Sequence, residues 1–559
     1  LIVAIFLACS AFAMEGASKP SPAESPGDAL TVVKDGVLRA EIVVNDKRPR
    51  MVTLAALELQ HFLEKMSGAR LPIVTSPTDA QPVKIYVGQS PATDKLGITS
   101  EGLKYGAYRI ATGPDWIVLL GQDQDFVPPD PFSTSHSSLP KVSARWNELT
   151  AGSTDAGWGY PFSLEYKMFW DAKNEKNFNA LLSEYYGEGA LTLWQSGGSP
   201  AGFWEHDEGG SFNAVAAFLR KLGVRWYMPG ESNAVVPEKT TVKIPQINET
   251  VKPAYALRSW MWYNYGAFSF DDVIWARRVG MDSGNEKIGL ARGPHGLVDV
   301  HSHSKMKEAH PEYYAMINGK PDTGHRDLGT PNFMSDGLVQ ETVRYARYLF
   351  DTYDVPLVDI WPVDGLKLSQ DEASKGKSAS ELVWGFADRV AREVYKTHPD
   401  KLIICGACTS YIDPPESIEK FSPNLAVWIA NAGRPGFDDP DHWAKYWERV
   451  EKWQSKMAPG NIFRSENNRY HLWDNKGPVP FPVIHPRAVA KDLKALKGIS
   501  QGDQGEQSQS GGKWVTPGLE YLTLYVQARF LWDPDQGIRM SRPCSMNIFS
   551  FSTGRLPGK

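Results

Sequence analysis

The stretch VDIWPVDG, from Val358 to Gly365, decides how this chain folds. A β-branched apolar run (Leu357, Val358, Ile360) breaks off at Trp361, Pro362, Asp364 and Gly365. That reads as a buried strand ending in a turn with a carboxylate at its tip. Downstream, Leu382, Val383, Phe386, Ala387, Val390, Ala391 and Val394 recur at helical spacing in a segment that begins near Ser378. Strand, acid-bearing loop and amphipathic helix make one unit of a β/α barrel, whose chemistry sits where the strands end. Asp-Gly pairs also close ordinary turns, so Asp364 alone has a plain structural alternative.

Working outward, the same rhythm holds from Pro253. RSWMWYNYG is a candidate first strand, Asp271 to Val279 a helix, and LVDVHSHS a candidate second strand end. EYYAMING reads as a small hairpin or excursion, and Leu338 to Asp351 as the helix leading into the Asp364 strand. KLIICGACTSYIDPP, NLAVWIANAG and NIFRSENNRYHLW give three more strand-then-loop units, with helices such as Trp443 to Met457 between them. GISQGDQGEQ supplies a last strand end, followed by the helical LEYLTLYVQARFLWDP. About seven or eight units suit one (β/α)8 TIM barrel over residues 253–535.

An α/β domain is expected before it, over residues 30–252. Thr53 to Met66 (TLAALELQHFLEKM) has helical periodicity and ends at Gly68. LPIV, KIYVG, YRI and DWIVLLG are short strands, Phe212 to Leu222 is a helix ending at Gly223, and VRWYM and TTVKIP are further strands. Residues 123–202 lose periodicity and read as an irregular insertion wrapped over this domain. Trp204, Glu205, Asp207 and Glu208 precede the second helix, and Asp207 or Glu208 is expected either to cap it or to complement its N-terminal dipole. Gly88, Gly121 and Gly223 lack the spacing of a nucleotide loop, so no cofactor is expected. Residues 1–13 (LIVAIFLACSAFA) form an apolar run with a small-x-small end, too short for a bilayer. They read as a partial signal peptide and imply a secreted or periplasmic protein; a lipoprotein anchor at Cys9 fits less well. Residues 14–29 read as a linker and 536–559 as an irregular tail.

The chain has 559 residues, 42% hydrophobic and 22% charged, with a net charge of −5. That excludes a basic nucleic-acid footprint and a polybasic membrane patch. Its 19 Trp and 22 Tyr offer flat faces suited to stacking on sugar rings, although many such rings serve in cores. Beyond the leader, Cys405 and Cys408 stand as C-G-A-C, and Cys544 lies in the tail. Without a second pair they complete no structural zinc site, leaving buried small residues or a local disulfide.

AALELQHFLEKMSGARLPIV, IYVGQS, GSFNAVAAFLRKLGVRWYMPGE, PVDG, HPEYYAMINGK and LYVQARFLWDP together resemble bacterial proteins of the domain-of-unknown-function family 4838 (DUF4838). Those look like relatives of the α-glucuronidases of glycoside hydrolase family 67. The likeness covers most of residues 30–535. It implies an N-terminal α/β domain before a (β/α)8 barrel and a glycosidase acting on a terminal, uronic-acid-type sugar of a poly- or oligosaccharide. Relatives commonly carry a Cys-rich loop after the Pro-x-Asp-Gly turn; here that loop is LKLSQDEASKGK.

Glycosidic cleavage needs two carboxyl groups, one to protonate the leaving oxygen and one to activate water or attack. The strand-end carboxylates are Asp364, Glu466 and Glu506, with Asp503 beside the last. The resemblance places the acid of related glucuronidases at the strand end of Asp364, with Glu466 and Glu506 rivals for the second role. His301 and His303, with Asp299 before them and His295 nearby, stand as His-x-His at the expected second strand end, on one side of it by alternation. The resemblance favours substrate hydrogen bonding there, with a metal-dependent hydrolase as an alternative. Trp361, Asn431, Arg464, Asn467 and His471 are further candidate pocket residues, and Asn468 flanks Glu466. Arg292 and Arg464 have the fork geometry for a sugar carboxylate. Trp361, Trp428, Trp260 and Trp262 are candidates for a sugar platform. The remaining alternative is a non-catalytic carbohydrate-binding protein on the same scaffold.

Overall fold

The structure is a computed structural model. It describes residues 29–132, 139–161, 168–169, 175–197, 202–204, 206–262, 270–281, 295–430, 440–466, 473–474, 477–478, 486–507 and 517–536. The expected leader, most of the linker and nearly all of the tail lie outside these residues.

A mixed six-stranded sheet organises the N-terminal part. Its order is Asn248–Val251, Tyr108–Thr112, Trp116–Gly121, Val83–Val87, Ala40–Val43 and Ile73–Val74. The last four run parallel, while Tyr108–Thr112 is antiparallel to both of its neighbours. Two helices cover one face. Arg50–Ser67 buries Leu54, Leu57, Phe62 and Leu63 and ends at Gly68, as its periodicity predicts; Gly210–Leu222 ends at Gly223. The second helix is not capped by Asp207 or Glu208. Its first turn is held from the short strand Asp123–Gln124 paired with Glu208–Gly209, where Asp123 accepts the Ser211 backbone N–H at 2.9 Å.

The insertion holds more structure than its sequence pattern suggested. Leu139–Leu149, Glu175–Tyr186 and Ala190–Ser196 are helices, and Trp146, Trp158 and Trp194 are buried. Irregularly spaced aromatic anchors, rather than a periodic stripe, carry this segment, so a periodicity search passes over it. One anchor reaches the C-terminal half: Trp158 donates its indole N–H to Glu341 at 2.6 Å.

The second sheet is parallel throughout. Its order is Leu257–Trp262, Ser500–Gln507, Ile462–Glu466, Leu425–Ala430, Leu402–Ala407 and Leu357–Asp359. The first strand in the chain thus lies beside the last, the pairing a closing barrel requires, and the described sheet forms a half-barrel. Apolar runs such as LIICGA and LAVWIA suit strands covered on both faces. Helices alternate with these strands, at Asp336–Tyr353, Ala379–Tyr395, Pro440–Lys456, Pro486–Leu496 and Pro517–Trp532. Ala379–Tyr395 opens on a reciprocal cap: the Ser378 hydroxyl accepts the Glu381 N–H at 3.2 Å, and the Glu381 carboxylate accepts the Ser378 N–H at 2.8 Å.

One expected strand is absent from its place. LVDVHSHS forms two short helices, Leu297–His301 and Ser304–Ala309. EYYAMING does form a hairpin, Met316–Ile317 against Lys320–Pro321, turning on Asn318 (φ 52°) and Gly319 (φ 76°). Cys405 and Cys408 are both buried free thiols, so no local disulfide forms. Among the described residues, no helix is long and apolar enough to cross a membrane.

Candidate functional site

The site grows from the end of the Leu357–Asp359 strand. Asp359 is buried, and its two oxygens hold the chain on both sides of the mouth. Oδ1 accepts the Trp361 N–H at 2.6 Å and Oδ2 the Gly296 N–H at 3.3 Å. A side chain at Gly296 would put a Cβ 2.3 Å from the Asp359 carbonyl oxygen, so only glycine lets these two segments meet. Trp361 then turns inward over Gly406, where an added Cβ would come within 2.0 Å of the indole. Its N–H donates to the Tyr411 hydroxyl at 3.0 Å. Trp361 is therefore a buried anchor for the turn and not an open sugar platform.

Beyond that anchor the chain surfaces. The Asp364 side chain is 57% exposed, and His295 brings Nε2 to 3.7 Å from its Oδ2. The other ring nitrogen of His295 lies 2.6 Å from the Pro362 carbonyl oxygen. His325 and Arg326 approach the next residue, Gly365, with His325 Nε2 and the Arg326 guanidinium 3.5 and 3.3 Å from where a Cβ would stand. Arg326 and Asp327 both adopt left-handed backbone (φ 50° and 60°), an uncommon conformation for such residues.

The loop after Gly365 is stapled by polar groups, in the place where the resemblance implies a Cys-rich segment. Lys367 pairs with Asp322 at 3.0 Å. The Met316 N–H donates to the Ser369 hydroxyl at 2.9 Å, and the Gln370 N–H to the Met316 carbonyl at 2.8 Å. Asn332 donates to Asp371 at 3.0 Å. Burial would raise the Asp371 carboxyl, but hydrogen bonds from Ser374, Ser369 and Asn332 pull it below its ordinary value. The hairpin and this loop thus form one wall beside Asp364.

Glu466 ends the Ile462–Glu466 strand opposite Gly505, and Glu506 lies opposite Met261 near the end of Ser500–Gln507. Both belong to the edge of the sheet where its parallel strands finish. The side chains of Glu466, Asp503, Glu506 and Trp262 lie outside the described residues, as do Arg292, Asn431, Asn467, Asn468 and His471 altogether.

Arg464 is 1% exposed and forms an ion pair with the buried Asp492 of the Pro486–Leu496 helix, which turns it toward the helical layer. Trp260 is buried and stacked on Trp275 at 5.3 Å, and Trp428 is buried beside Phe463. His301 and His303 do not share one side of a strand. His301 is 0% exposed within its short helix. Burial, helped by the Lys307 charge, pushes its pKa down to about 4, against the opposing backbone of Leu328 and of His301 itself. His303 packs against Gly157 and is lowered too, by burial and by Lys305. Among the described residues, no three His, Cys, Asp or Glu side chains converge as a metal site. Sequence reasoning passed over His325 and Arg326, and noted His295 only as a neighbour. Their one local signal is a glycine beside each histidine, in GPHG and TGHRD.

Residues 228–542 match the model of a family described as a domain of unknown function, DUF4838. No curated protein sequence matches the chain. Among solved structures, it is similar to a family 115 4-O-methyl-α-glucuronidase with specificity for decorated arabinogalactans. The TM-score is 0.43 at 10% identity, over 89% of this chain and 57% of that one, so this chain spans less than two thirds of that protein. It is also similar to the Flavobacterium johnsoniae chitobiase (TM-score 0.40, 10% identity, 94% of this chain and 71% of that one). A third is the β-N-acetylhexosaminidase of Streptomyces coelicolor A3(2) (TM-score 0.41, 10% identity, 92% and 90%).

Proposed function

We propose a function for a chain that belongs to the DUF4838 family: it is a secreted or periplasmic glycoside hydrolase. It removes a terminal sugar, with uronic acids the first class to test, from poly- or oligosaccharides. The reaction uses paired carboxyl groups and no cofactor, in a site formed by a complete (β/α)8 barrel. The observation that carries the reading is Asp364, an exposed carboxyl just past the carboxyl end of a parallel strand, beside a histidine and facing solvent.

In this reading Asp364 protonates the glycosidic oxygen as the bond to the sugar breaks, and Glu466 or Glu506 activates water or attacks the anomeric carbon. Spacing limits the pairing. Three strand steps separate the Asp364 strand from that of Glu466, and four from that of Glu506. Laid flat, those steps are about 14 and 19 Å, whereas working carboxyl pairs stand about 5–9.5 Å apart. Closure of the sheet into a barrel is what turns distant neighbours into groups facing one another across a pocket.

The test is a hydrolysis screen on a panel of oligosaccharides, uronic-acid-capped ones included, with wild type beside Asp364→Asn and with and without chelator. The expected result is turnover that falls by about 10²–10⁴ in the variant and ignores the chelator. Glu466→Gln and Glu506→Gln then identify the second carboxyl. Binding without turnover on every substrate would sink the catalytic reading in favour of a carbohydrate-binding protein, and loss of activity with chelator would overturn the cofactor-free mechanism.

A further inference from the structure

We infer that Arg326, held over Gly365 with His325 beside it, is the residue that recognises an anionic group on the terminal sugar. The inference rests on the glycosidase reading for the way the sugar lies, but the recognition itself can be measured as binding, without turnover.

The argument starts from the backbone. Arg326 (φ 50°, ψ 30°) and Asp327 (φ 60°) are successive residues in the left-handed region, which a side chain enters only at a cost. Their turn is held from several directions. The Leu328 and Gly329 N–H groups both donate to the His325 carbonyl, at 2.9 and 3.0 Å, and Lys307 donates to the Asp327 carbonyl at 2.7 Å. The two ends are tied together as well: the Thr330 N–H donates to the Asp322 carbonyl and the Thr330 hydroxyl to the Asp322 carboxylate, both at 2.8 Å. Asp322 is in turn paired with Lys367, just beyond Gly365. Strain that persists because its surroundings over-determine it is a mark of functional placement.

What this turn places is a set of donors with nothing to bond. Among the described residues, the Arg326 guanidinium has neither a hydrogen bond nor an ion pair. The Nε2 atom of His325 is buried and has no hydrogen-bond partner there either. Both stand against one spot, a guanidinium nitrogen 3.3 Å and Nε2 3.5 Å from where a Gly365 Cβ would be. Two lysines that reach the same turn are already engaged, Lys367 by Asp322 and Lys307 by the Asp327 carbonyl. A planar fork of N–H donors matches the paired oxygens of a carboxylate or a sulfate, and such an anion would also supply the bond that a buried nitrogen lacks.

The location fits a sugar whose glycosidic oxygen is protonated by Asp364. In a pyranose the anomeric carbon and carbon 5 flank the ring oxygen, so a group carried on carbon 5 lies next to the acid and not across the pocket. Gly365 is the residue after the acid, and Arg326 and His325 stand over it. The sugars selected are those with a negative group at this position, either the carboxylate of a uronic acid or the ester of a 6-sulfated hexose. Arg464, whose place in the sequence suggested this role, is taken by Asp492.

The experiment is isothermal titration calorimetry on the full chain with glucuronate, galacturonate, galactose 6-sulfate and glucose. Wild type is compared with Arg326→Gln and Arg326→Lys. The expected result is that wild type prefers an anionic sugar to glucose, and the preferred probe shows whether carboxylate or sulfate is read. Arg326→Gln should weaken that probe about 10–100-fold and glucose far less. Arg326→Lys keeps the charge without the fork and should fall between the two. Arg326→Gly controls for folding: the left-handed backbone accepts glycine, so its thermal melt should match wild type while the preference disappears. A wild type without preference for an anionic sugar, whether both kinds bind or neither does, would overturn the inference, as would a preference that survives in Arg326→Gln. If a sugar is turned over, Arg326→Gln is expected to raise KM for the anionic substrate with little change in kcat, and an equal loss on charged and neutral substrates would mark Arg326 as merely structural. Turnover of neutral sugars alone would overturn the inference and leave the glycosidase standing. A preference lost in Arg326→Gln, without turnover on any sugar, would support the inference and count against the glycosidase alone.

Discussion

Two groups of charges in this molecule are built on opposite terms. Between the halves, Arg278 of the Phe270–Val279 helix is buried and gives Glu58 two hydrogen bonds, at 2.8 and 2.7 Å. Tyr186 adds a third to the same carboxylate at 2.7 Å. Burial would lower the Arg278 guanidinium, but Glu58 holds it well above its ordinary value. At the mouth, Asp364 and His295 meet only at 3.7 Å, and among the described residues Arg326 has no ion-pair partner. The first cluster is satisfied and joins elements distant in sequence; the second is exposed, strained and under-paired. Charges that hold a fold have finished their bonding, while charges that meet a substrate keep capacity in reserve.

The largest effect should come from breaking the finished cluster. Arg278→Ala leaves the Glu58 carboxylate buried without its partner and is expected to cost about 3–5 kcal/mol in urea unfolding. Replacing both, as Glu58→Leu with Arg278→Met, should recover most of that loss, since an apolar pair desolvates nothing. A single variant as stable as wild type would break the comparison.

A step smaller is Gly406→Ala. The new methyl would enter the Trp361 indole, so overpacking of about 1–3 kcal/mol is expected, with a change in tryptophan fluorescence as the anchor shifts. Unaltered stability would mean that the turn carrying Asp364 is not set by this contact.

The same contrast explains what could be read from the sequence. Helices Arg50–Ser67 and Ala379–Tyr395 were legible because each combines a periodic apolar face with an end signal, Gly68 in one and Ser378 with Glu381 in the other. LVDVHSHS was misread because Leu297 to His301 are all buried, and a short run buried all round has no period to separate helix from strand. Asp364 was legible from the abrupt end of its strand. Its surroundings were not, because His295 comes from a loop tied by Asp359 and Gly296, and His325 and Arg326 reach the neighbouring Gly365 from a short turn after the Met316–Pro321 hairpin. Arg464 shows the converse: its neighbours in sequence suggested a pocket, while Asp492, far along the chain, claims it.

Acid and base titrations sharpen the comparison further, because two half-buried carboxyls in the N-terminal half shift in opposite directions. Burial raises Asp123 to about 7 against its bonds from Ser211. Its contribution to stability is full below about pH 4 and is lost as pH rises through 7; Asp123→Asn should flatten that decline. Burial would also raise Glu231, but the His61 hydrogen bond, the Arg278 charge and Lys65 bring it down to about 2. Its contribution is present above about pH 4.5 and fades as pH falls toward 2. The loss should be under ~2 kcal/mol once solvent screening is allowed for, and absent in Glu231→Gln. Thermal melts across pH 2–8 separate the two. A variant whose melting profile keeps the wild-type slope in its window would remove that carboxyl from the finished set.

The smallest expected effect is the most discriminating. Asp364→Asn should change unfolding free energy by no more than about 0.5 kcal/mol, because its side chain is exposed and its one close charged neighbour stands at 3.7 Å. The same substitution is expected to lower turnover by about 10²–10⁴ on whatever sugar the screen identifies. Stability kept and activity lost is the signature of a charge held in reserve. A destabilisation comparable with that of Arg278→Ala would instead place Asp364 among the charges that hold the fold, and the acid would have to be sought at another strand end.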